Sequence, residues 1–362
     1  MTVTEPATLA TTAAEPVTMA RALNRALADA LAADDRVLVF GEDVGTLGGV
    51  FRVTDGLAAS FGESRVFDTP LAEAGIVGTA IGMAMNGLRP VVEMQFDAFA
   101  YPAFQQITSH LAKLRNRTRG RIELPVVIRI PYGGGIGGVE HHSDSSEAYF
   151  AHTPGLRVVT PGTPADAYSL LRASIDCPDP VIFFEPKRRY WSKESAVLGP
   201  GAPLDNAVVR RPGKDVTLIA YGPMVATALE TAAAAAERGA PTGGPGAFDS
   251  TAVDVEVIDL RSLAPFDDAT VCASVRRTGR AVVVHEAPRF LGFGAEVAAR
   301  VTEQCFHYLH APVARVAGFD IPYPPPMLEE HYLPSVDRIL DAIAKLQWDD
   351  QVVQPVEMLP DA

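Results

Sequence analysis

One carboxylate stands alone among small and apolar residues. Glu73 lies within the stretch Asp68-Thr-Pro-Leu-Ala-Glu-Ala-Gly-Ile-Val-Gly78, and residues 66–88 contain no lysine or arginine. The stretch predicts a buried helix that opens at this glutamate. Burial disfavours the charged carboxylate and raises its pKa, which suits a group that gives and takes a proton near neutral pH. The alternative is a purely structural acid at a helix N-terminus.

A polar and an aromatic side chain follow the next predicted strand, at residues 91–93. These two side chains are Gln95 and Phe99. In a parallel α/β sheet the carboxyl ends of the strands meet at one edge, where ligands bind. A planar amide and an aromatic face suit a flat heteroaromatic ring. The alternative is a polar turn followed by an aromatic residue of the core.

A glycine-rich stretch with two adjacent histidines, His141 and His142, follows a third strand. Residues 132–147 read Tyr-Gly-Gly-Gly-Ile-Gly-Gly-Val-Glu-His-His-Ser-Asp-Ser-Ser-Glu. Glycines let the backbone approach a ligand, and a histidine in such a loop can act as an acid, a base or a substrate clamp. The glycines do not open directly into a helix, as a dinucleotide-binding loop requires, and no GxxxxGK[ST] pattern occurs. A metal site would need better-placed ligands.

Basic and aromatic residues end a fourth strand, in the run Phe183-Phe-Glu-Pro-Lys-Arg-Arg-Tyr-Trp191. Such a cluster can bind nucleic acid or an anionic ligand. The net charge of the chain is −13, which favours a solvated strand end or a subunit contact instead.

Composition narrows the class of protein. The 362 residues have a pI near 5.1, which argues against nucleic acid and anionic lipid as partners. The three cysteines are scattered, so they predict neither a disulfide framework nor a zinc site. No apolar run approaches the ~18–20 residues of a membrane span. Residues 1–16 lack the basic start and apolar core of a signal peptide, and we expect a reduced, cytoplasmic protein.

Short apolar strands alternate with helices in two blocks, which predicts an α/β fold with two doubly wound domains. A glycine- and proline-rich insertion at residues 240–251 lengthens one helix-to-strand connection. The expected divisions are a disordered lead-in at 1–16, a first domain at 17–191, a linker at 192–214, a second domain at 215–346 and a tail at 347–362. The predicted strands are 37–40, 91–93, 126–130, 181–184, 216–221, 253–258, 281–285 and 313–316. The predicted helices are 19–31, 72–87, 99–114, 165–176, 224–238, 267–277 and 294–307.

Over roughly residues 17–346 the chain resembles one family, the beta subunit of the thiamine-diphosphate-dependent decarboxylase component of 2-oxo acid dehydrogenase complexes. The matching motifs include Gly41-Glu-Asp-Val44, Phe67-Asp-Thr-Pro-Leu-Ala-Glu73, His142-Ser-Asp-Ser-Ser-Glu147, Leu260-Arg-Ser-Leu-Ala-Pro265 and Val284-His-Glu-Ala287. The resemblance implies a pyrimidine-binding thiamine diphosphate domain followed by a transketolase C-terminal-like domain. Tyr149-Phe-Ala-His152 and Phe183-Phe-Glu-Pro-Lys187 resemble the branched-chain subgroup.

The resemblance implies roles for individual residues. Glu73 is expected to hydrogen-bond the N1′ atom of the cofactor's aminopyrimidine, so that a shared proton favours its imino tautomer. Phe99 matches the ring-stacking aromatic residue, and Leu71 and Gln95 match other cofactor-pocket positions. His142 matches the histidine that helps to position the substrate or the incoming lipoyl group.

The resemblance also implies partners and ions. Thiamine diphosphate sits between two chains, and the alpha subunit holds Mg²⁺ and the diphosphate; accordingly, this sequence contains no Gly-Asp-Gly motif. The expected assembly is an alpha2–beta2 heterotetramer that passes acyl groups to a lipoyl acyltransferase core. Cys177 stands where the family commonly has an acid in its structural potassium site. The potassium positions here are Leu124, Val126, Val127, Ser174, Cys177 and Asp179.

The function expected from the resemblance is oxidative decarboxylation of a branched-chain 2-oxo acid. A pyruvate or acetoin dehydrogenase beta subunit is the alternative within the class, because few pocket residues set that choice. A non-catalytic subunit that retains the fold is an alternative from another class. A nicotinamide-binding protein is disfavoured, because the first strand-to-helix turn lacks GxGxxG.

Overall fold

The structure is a computed structural model that describes residues 14–238 and 252–346. The predicted insertion at 240–251, the tail at 347–362 and most of the lead-in lie outside the described residues. Residues 15 and 16 of the predicted lead-in are described and belong to a strand, so that boundary was wrong. Within the described ranges, no helix combines the length and the apolar character needed to cross a membrane.

The described strands and helices alternate along most of the chain. The strands are β1 (Glu15–Thr18), β2 (Val37–Gly41), β3 (Val66–Asp68), β4 (Arg89–Glu93), β5 (Val127–Tyr132), β6 (Arg157–Val159), β7 (Val181–Pro186), β8 (Lys193–Ala196), β9 (Val208–Arg211), β10 (Val216–Ala220), β11 (Val255–Asp259), β12 (Ser262–Ala264), β13 (Ala281–Pro288) and β14 (Ala314–Gly318). The α-helices are α1 (Met19–Ala33), α2 (Leu57–Phe61), α3 (Glu73–Met85), α4 (Ala112–Arg117), α5 (Glu147–Ala151), α6 (Pro164–Asp176), α7 (Met224–Arg238), α8 (Asp268–Thr278), α9 (Phe293–Cys305), α10 (Glu329–Tyr332) and α11 (Val336–Lys345).

Local sequence explains how the first helix forms. The side chain of Thr18 accepts a hydrogen bond from the backbone nitrogen of Arg21 at 3.3 Å and so caps α1. The apolar stripe that includes Met19 and Leu23 is buried against the first sheet, as its four-residue spacing predicts.

Two sheets organise the described chain. The first has seven strands in the order β12-β6-β7-β5-β4-β2-β3, and the second has five in the order β14-β13-β10-β11-β9. All neighbours are parallel except the pairs β12–β6 and β9–β11 at one edge of each sheet. The short strands read as apolar runs because helices cover both faces. The predicted α/β class with parallel sheets is confirmed.

The two sheets are connected by one strand and by a common apolar core. Strand β12 follows β11 of the second sheet but pairs with β6 of the first sheet. One apolar core runs from Phe40 and Ile128 of the first sheet to Ile219 and Ile258 of the second. A continuous apolar core therefore packs the second sheet against the first.

Two segments differ from the sequence-based expectation. The predicted linker at 192–214 contains β8, which pairs with β1, and β9, which joins the edge of the second sheet. The predicted helix at 99–114 is irregular: a 3₁₀ segment (Ala98–Ala103) contains Pro102, and a π-helical segment (Gln106–Leu111) leads into α4. Proline cannot donate a backbone hydrogen bond, so it does not fit a regular helix interior.

Candidate active site

Strand register brings the predicted residues to one edge of the first sheet. Gly41, the last residue of β2, lies opposite Asp68 at the end of β3 and Glu93 at the end of β4. The segments that follow these strands therefore emerge together. They carry Glu42, Glu73 and Gln95.

Two glutamates form the acidic part of this edge. Glu73 is the first residue of α3 and is half-buried, so the expectation of a buried carboxylate at this position was wrong for the chain by itself. Nearby Glu42 is only 4% exposed, and neither of its carboxylate oxygens has a hydrogen-bond partner among the described residues. Burial, together with the negative charges of Glu73 and Asp43, raises the pKa of Glu42 to about 7.

The sequence reasoning did not include Glu42 among the candidate site residues. The signal was present, since Glu42 directly follows a buried strand and belongs to the Gly41-Glu-Asp-Val44 motif. Its neighbour Glu73 is 31 positions away in the chain, so their mutual repulsion is visible only in the fold.

The loop after β2 is held by polar contacts from the neighbouring strands. The amide nitrogen of Gln95 donates to Asp43 Oδ2 at 2.8 Å. The carboxylate of Asp68 accepts from the backbone nitrogens of Gly45 at 2.6 Å and Thr46 at 3.4 Å. Gln95 thus has a positioning role within the chain as well as its predicted place in the pocket.

Aromatic rings and histidines form the other side of the edge. The ring centroid of His142 lies 4.4 Å from that of Phe96 and 5.5 Å from that of Phe99, both in edge-on geometry. His141 packs 4.2 Å from His142. Burial, and the positive charges of His141 and Lys187, lower the pKa of His142. The structure therefore brings the predicted residues Phe99 and His142 together.

Leu71 lies two residues before Glu73, and its side chain is 80% exposed. Single exposed apolar side chains are ordinary on protein surfaces. The predicted pocket residue Leu71 is thus exposed in the chain by itself.

The sequence suggested that the basic-aromatic run at 183–191 is a solvated strand end. Most of this run is buried instead. Lys187 is 1% exposed and Tyr190 is fully buried. Glu185 is buried and paired with Arg129. Only the end of the run agrees with the expectation, where Trp191 is 58% exposed.

The predicted potassium positions form a separate cluster on the first domain. The backbone nitrogen of Leu124 donates to the carbonyl of Pro178 at 3.0 Å, which joins the two predicted segments, 124–127 and 174–179. The carboxylate of Asp179 already pairs with Arg115 at 2.5 Å and with Arg157 at 3.6 Å. No group of three or more histidine, cysteine, aspartate or glutamate side chains within 14–238 and 252–346 could hold a metal ion. Potassium would therefore rely on backbone oxygens here.

A cavity of about 780 Å³ lies away from these residues. It is bounded by α5, by the start of α9 and by residues 263–266, and its lining includes His152, Phe266 and Arg300. None of the predicted cofactor-pocket residues lines it. It is therefore not the site predicted from the sequence.

Comparisons with known proteins define the class. Residues 15–192 match the family described as "Transketolase, pyrimidine binding domain", and residues 205–339 match "Transketolase, C-terminal domain". A solved structure titled "Split gene transketolase, inactive beta4 tetramer" superimposes with a TM-score of 0.71, covering 91% of this chain and 98% of that one. Its sequence identity is 23%, so it supports the fold alone. The fold is that of a transketolase-like α/β protein.

Curated relatives narrow the class further. The chain is 56% identical to "3-methyl-2-oxobutanoate dehydrogenase subunit beta" of Mycobacterium tuberculosis, over 92% of both proteins. It is also 56% identical to "Pyruvate dehydrogenase E1 component subunit beta" of Leifsonia xyli subsp. xyli, over 90% of this chain and 93% of the relative. Identity to "2-oxoisovalerate dehydrogenase subunit beta" of Pseudomonas aeruginosa is 47%, over 89% and 93%. The chain belongs to the family of 2-oxo acid dehydrogenase beta subunits.

This membership confirms the predicted family and fold, and it implies thiamine diphosphate as the cofactor and an alpha chain as a partner. The individual site roles stay predictions. The equal identity to relatives named for a branched-chain acid and for pyruvate does not decide between these two substrates.

Proposed function

We propose that this chain forms the aminopyrimidine-binding half of a thiamine diphosphate site that decarboxylates a branched-chain 2-oxo acid. The main support is two pairs of neighbouring side chains on segments that follow strands of the first sheet: Glu42 with Glu73, and Phe99 with His142. The acyl group would pass to a lipoyl domain of an acyltransferase core.

The residues present fit an aminopyrimidine. Glu73, at the start of α3, is accessible enough to share a hydrogen bond with a ring nitrogen, and Phe99 offers an aromatic face. Gln95 and Leu71 complete the predicted pocket. When bound, thiamine diphosphate supplies the electron sink for loss of carbon dioxide.

The two glutamates have a chemical reason to lie together. Burial, and then the negative charge of Glu73, raise the pKa of Glu42 to about 7, so Glu42 retains its proton up to near-neutral pH. Glu42 is the buried member and holds that proton, while Glu73 faces the pocket. We propose that the more accessible Glu73 carboxyl is the one that shares a proton with the ring nitrogen, while Glu42 keeps its own.

His142 is suited to contact the substrate in its neutral form. A lowered pKa leaves one ring nitrogen with a free lone pair at neutral pH. We propose that this imidazole orients the substrate or the lipoyl group, as the family resemblance implies.

The remainder of the site belongs to a partner in this proposal. An alpha subunit would hold Mg²⁺ and the diphosphate in an alpha2–beta2 heterotetramer, and it would cover the exposed Leu71 side. Potassium would bind the backbone oxygens near Leu124 and Ser174. We propose two domains, with β1 (Glu15–Thr18) in the first and β9 (Val208–Arg211) in the second, and the cytoplasm as the location.

The branched-chain substrate is supported by the motifs Tyr149-Phe-Ala-His152 and Phe183-Phe-Glu-Pro-Lys187. Relatives named for branched-chain acids at 56% and 47% identity agree with this choice. Pyruvate is the second candidate, because a relative named for it is also 56% identical.

The test is co-expression with the candidate alpha subunit, followed by decarboxylation assays with thiamine diphosphate, Mg²⁺ and an artificial electron acceptor. We expect activity only from the mixed subunits, with 3-methyl-2-oxobutanoate preferred over pyruvate. Preference for pyruvate would overturn the substrate assignment and keep the site. An assembled but inactive tetramer would favour a non-catalytic subunit.

A pair of variants tests the site itself. Glu73→Gln should assemble normally yet lose about 10²–10⁴-fold in turnover, because the amide cannot share the proton. Glu63→Gln, at an exposed position, is the matched control and should retain full activity. Near-normal turnover of Glu73→Gln would refute the role of that carboxylate.

A further inference from the structure

Lys187 is an ammonium group in the protein interior. It directly follows β7, and its side chain is 1% exposed. Within the described residues its Nζ atom has no hydrogen-bond partner, and it lies 5.6 Å from the ring centroid of Phe96. An unpaired buried ammonium is strongly disfavoured unless nearby charges offset its lost hydration.

The offsetting charges come from three separate segments. Asp97 follows β4, Asp144 lies in the glycine-rich loop (residues 133–146), and Glu286 belongs to β13 of the second sheet. Each carboxylate favours the charged form of Lys187, against the effect of burial. The ammonium group therefore lies where the first sheet, the loop and the second sheet meet.

Two of these carboxylates hold the loop in place. Asp97 accepts hydrogen bonds from the backbone nitrogen of Ser146 at 2.8 Å and from its hydroxyl at 2.5 Å. Glu286 accepts from the backbone nitrogen of Gly134 at 2.5 Å. One end of the loop is thus fixed to the first sheet and the other to the second.

The middle of the loop carries His142, in the short 3₁₀ turn Glu140–His142. The ring of Phe96 contacts the His142 ring edge-on at 4.4 Å and also receives the Lys187 ammonium. Lys187 and His142 are therefore both neighbours of one aromatic ring. The charged groups that face His142 are His141 and Glu140 on its own turn and Lys187, which directly follows β7.

We propose that Lys187 is a positioning residue that fixes the glycine-rich loop and thereby sets the place and the charge state of His142. Without the cation, Asp97, Asp144 and Glu286 would each lose a positive neighbour at the junction of the sheets, and of the three Glu286 alone would keep Arg188 as a further one. The loop would then separate from Asp97 and Glu286. This proposal rests on the proposed function only where catalysis is concerned.

The first test uses the full chain without cofactor or partner. Lys187→Met keeps an unbranched side chain one atom shorter and removes the charge, and Lys193→Met is the control at an exposed position. We expect faster hydrogen exchange in peptides from residues 133–146 of Lys187→Met, with exchange unchanged in α1. Exchange equal to wild type in that loop would overturn the proposal.

The second measurement is the pKa of His142 by NMR of histidine-labelled chain, assigned with His142→Gln. Loss of the cation should raise this pKa in Lys187→Met, and Lys187→Arg should restore the wild-type value. A merely structural lysine would not give this rescue. An unchanged His142 pKa in a folded Lys187→Met chain would refute the proposed control of charge.

A third variant covers the case in which Lys187→Met fails to fold. Asp144→Asn removes one carboxylate from a half-buried position and leaves Lys187 in place. It should also speed hydrogen exchange in the loop, and no change there would count against the proposal.

In the assembled enzyme, Lys187→Met should lower kcat by about 10²-fold with little change in KM, because His142 is misplaced after the substrate has bound. Wild-type inactivity would instead refute the proposed function and leave the exchange result standing.

Discussion

Arg129 and Glu185 form a fully buried two-pronged ion pair between neighbouring strands β5 and β7. Arg129 Nε donates to Glu185 Oε1 at 2.6 Å, and Nη2 donates to Oε2 at 2.9 Å. Arg129 Nη1 also donates to Glu93 Oε2 at 2.6 Å, and the Tyr190 hydroxyl donates to Glu185 at 2.6 Å. This network joins three strands directly below the edge that carries the candidate site.

Replacing Arg129 by methionine should destabilise the chain by about 3–5 kcal/mol, because Glu93 and Glu185 would be left buried without a cation. Urea unfolding followed by circular dichroism measures the loss. Lys345→Met is the control, since its pair with Asp341 is exposed and worth less than about 1 kcal/mol. Equal losses of unfolding free energy in the two variants would show that the buried network stabilises the chain no more than an exposed ion pair does.

The stability of the chain should depend on the protonation of Glu42. Its pKa is about 7 in the fold against an ordinary value of 4.5, so the folded state binds the proton more tightly. The stabilisation from this group is therefore complete below pH 4.5 and is lost as pH rises through 7.

Glu42→Gln removes that dependence. At pH 8.5 the variant should melt about 2–4 °C above wild type, because it never buries a charge there. At pH 4.5 the two chains should melt together. The exposed Glu63→Gln variant is the control and should melt like wild type at both pH values. If Glu42→Gln raised the melting temperature equally at both pH values, ionisation of Glu42 would not be the cause.

Much of the fold followed from periodicity and composition. Apolar runs of four or five residues located most of the parallel strands, and the four-residue spacing after Thr18 located α1. The edge strands β8 and β9 were missed because short strands at a sheet edge carry polar residues and resemble a linker. Strand β12 was also missed, since its partner β6 is about 100 positions away.

The candidate site was predicted less completely than the fold. Glu73, Gln95, Phe99 and His142 were found because each follows a strand or matches a motif. The sequence reasoning expected Glu73 to be buried, whereas the buried acid is Glu42. Only the fold brings Glu42 close to Glu73. Lys187 lies in a run of charges, and such a run gives no sequence signal that one member is buried.

The ring of Phe99 should contribute to cofactor binding by stacking. Phe99→Leu should raise the concentration of thiamine diphosphate needed for half-maximal activity of the assembled enzyme by about tenfold, since aromatic stacking contributes about 0.5–1.5 kcal/mol beyond burial. Calorimetric titration of the assembled enzyme provides an independent measurement. Phe306→Leu, at a position 65% exposed, is the control. An unchanged cofactor affinity in Phe99→Leu would place the pyrimidine elsewhere.

The hydroxyl of Tyr221 links the second sheet to α5, and its loss should have a pH-dependent cost. It donates to Glu147 Oε1 at 2.7 Å, and both side chains are buried. Burial raises the pKa of Glu147 to about 7, while this hydrogen bond opposes the rise. In Tyr221→Phe the pKa of Glu147 should therefore rise further above its ordinary value.

The sign of the effect follows from which form the hydroxyl stabilises. It favours ionised Glu147, so Tyr221→Phe should lower the melting temperature more at pH 8.5 than at pH 5.5. Tyr308→Phe, at a position 52% exposed, should melt like wild type at both pH values. A larger loss at pH 5.5 would mean that the bond favours the protonated acid, and Glu147 would then be the donor in a contact that holds the two sheets together.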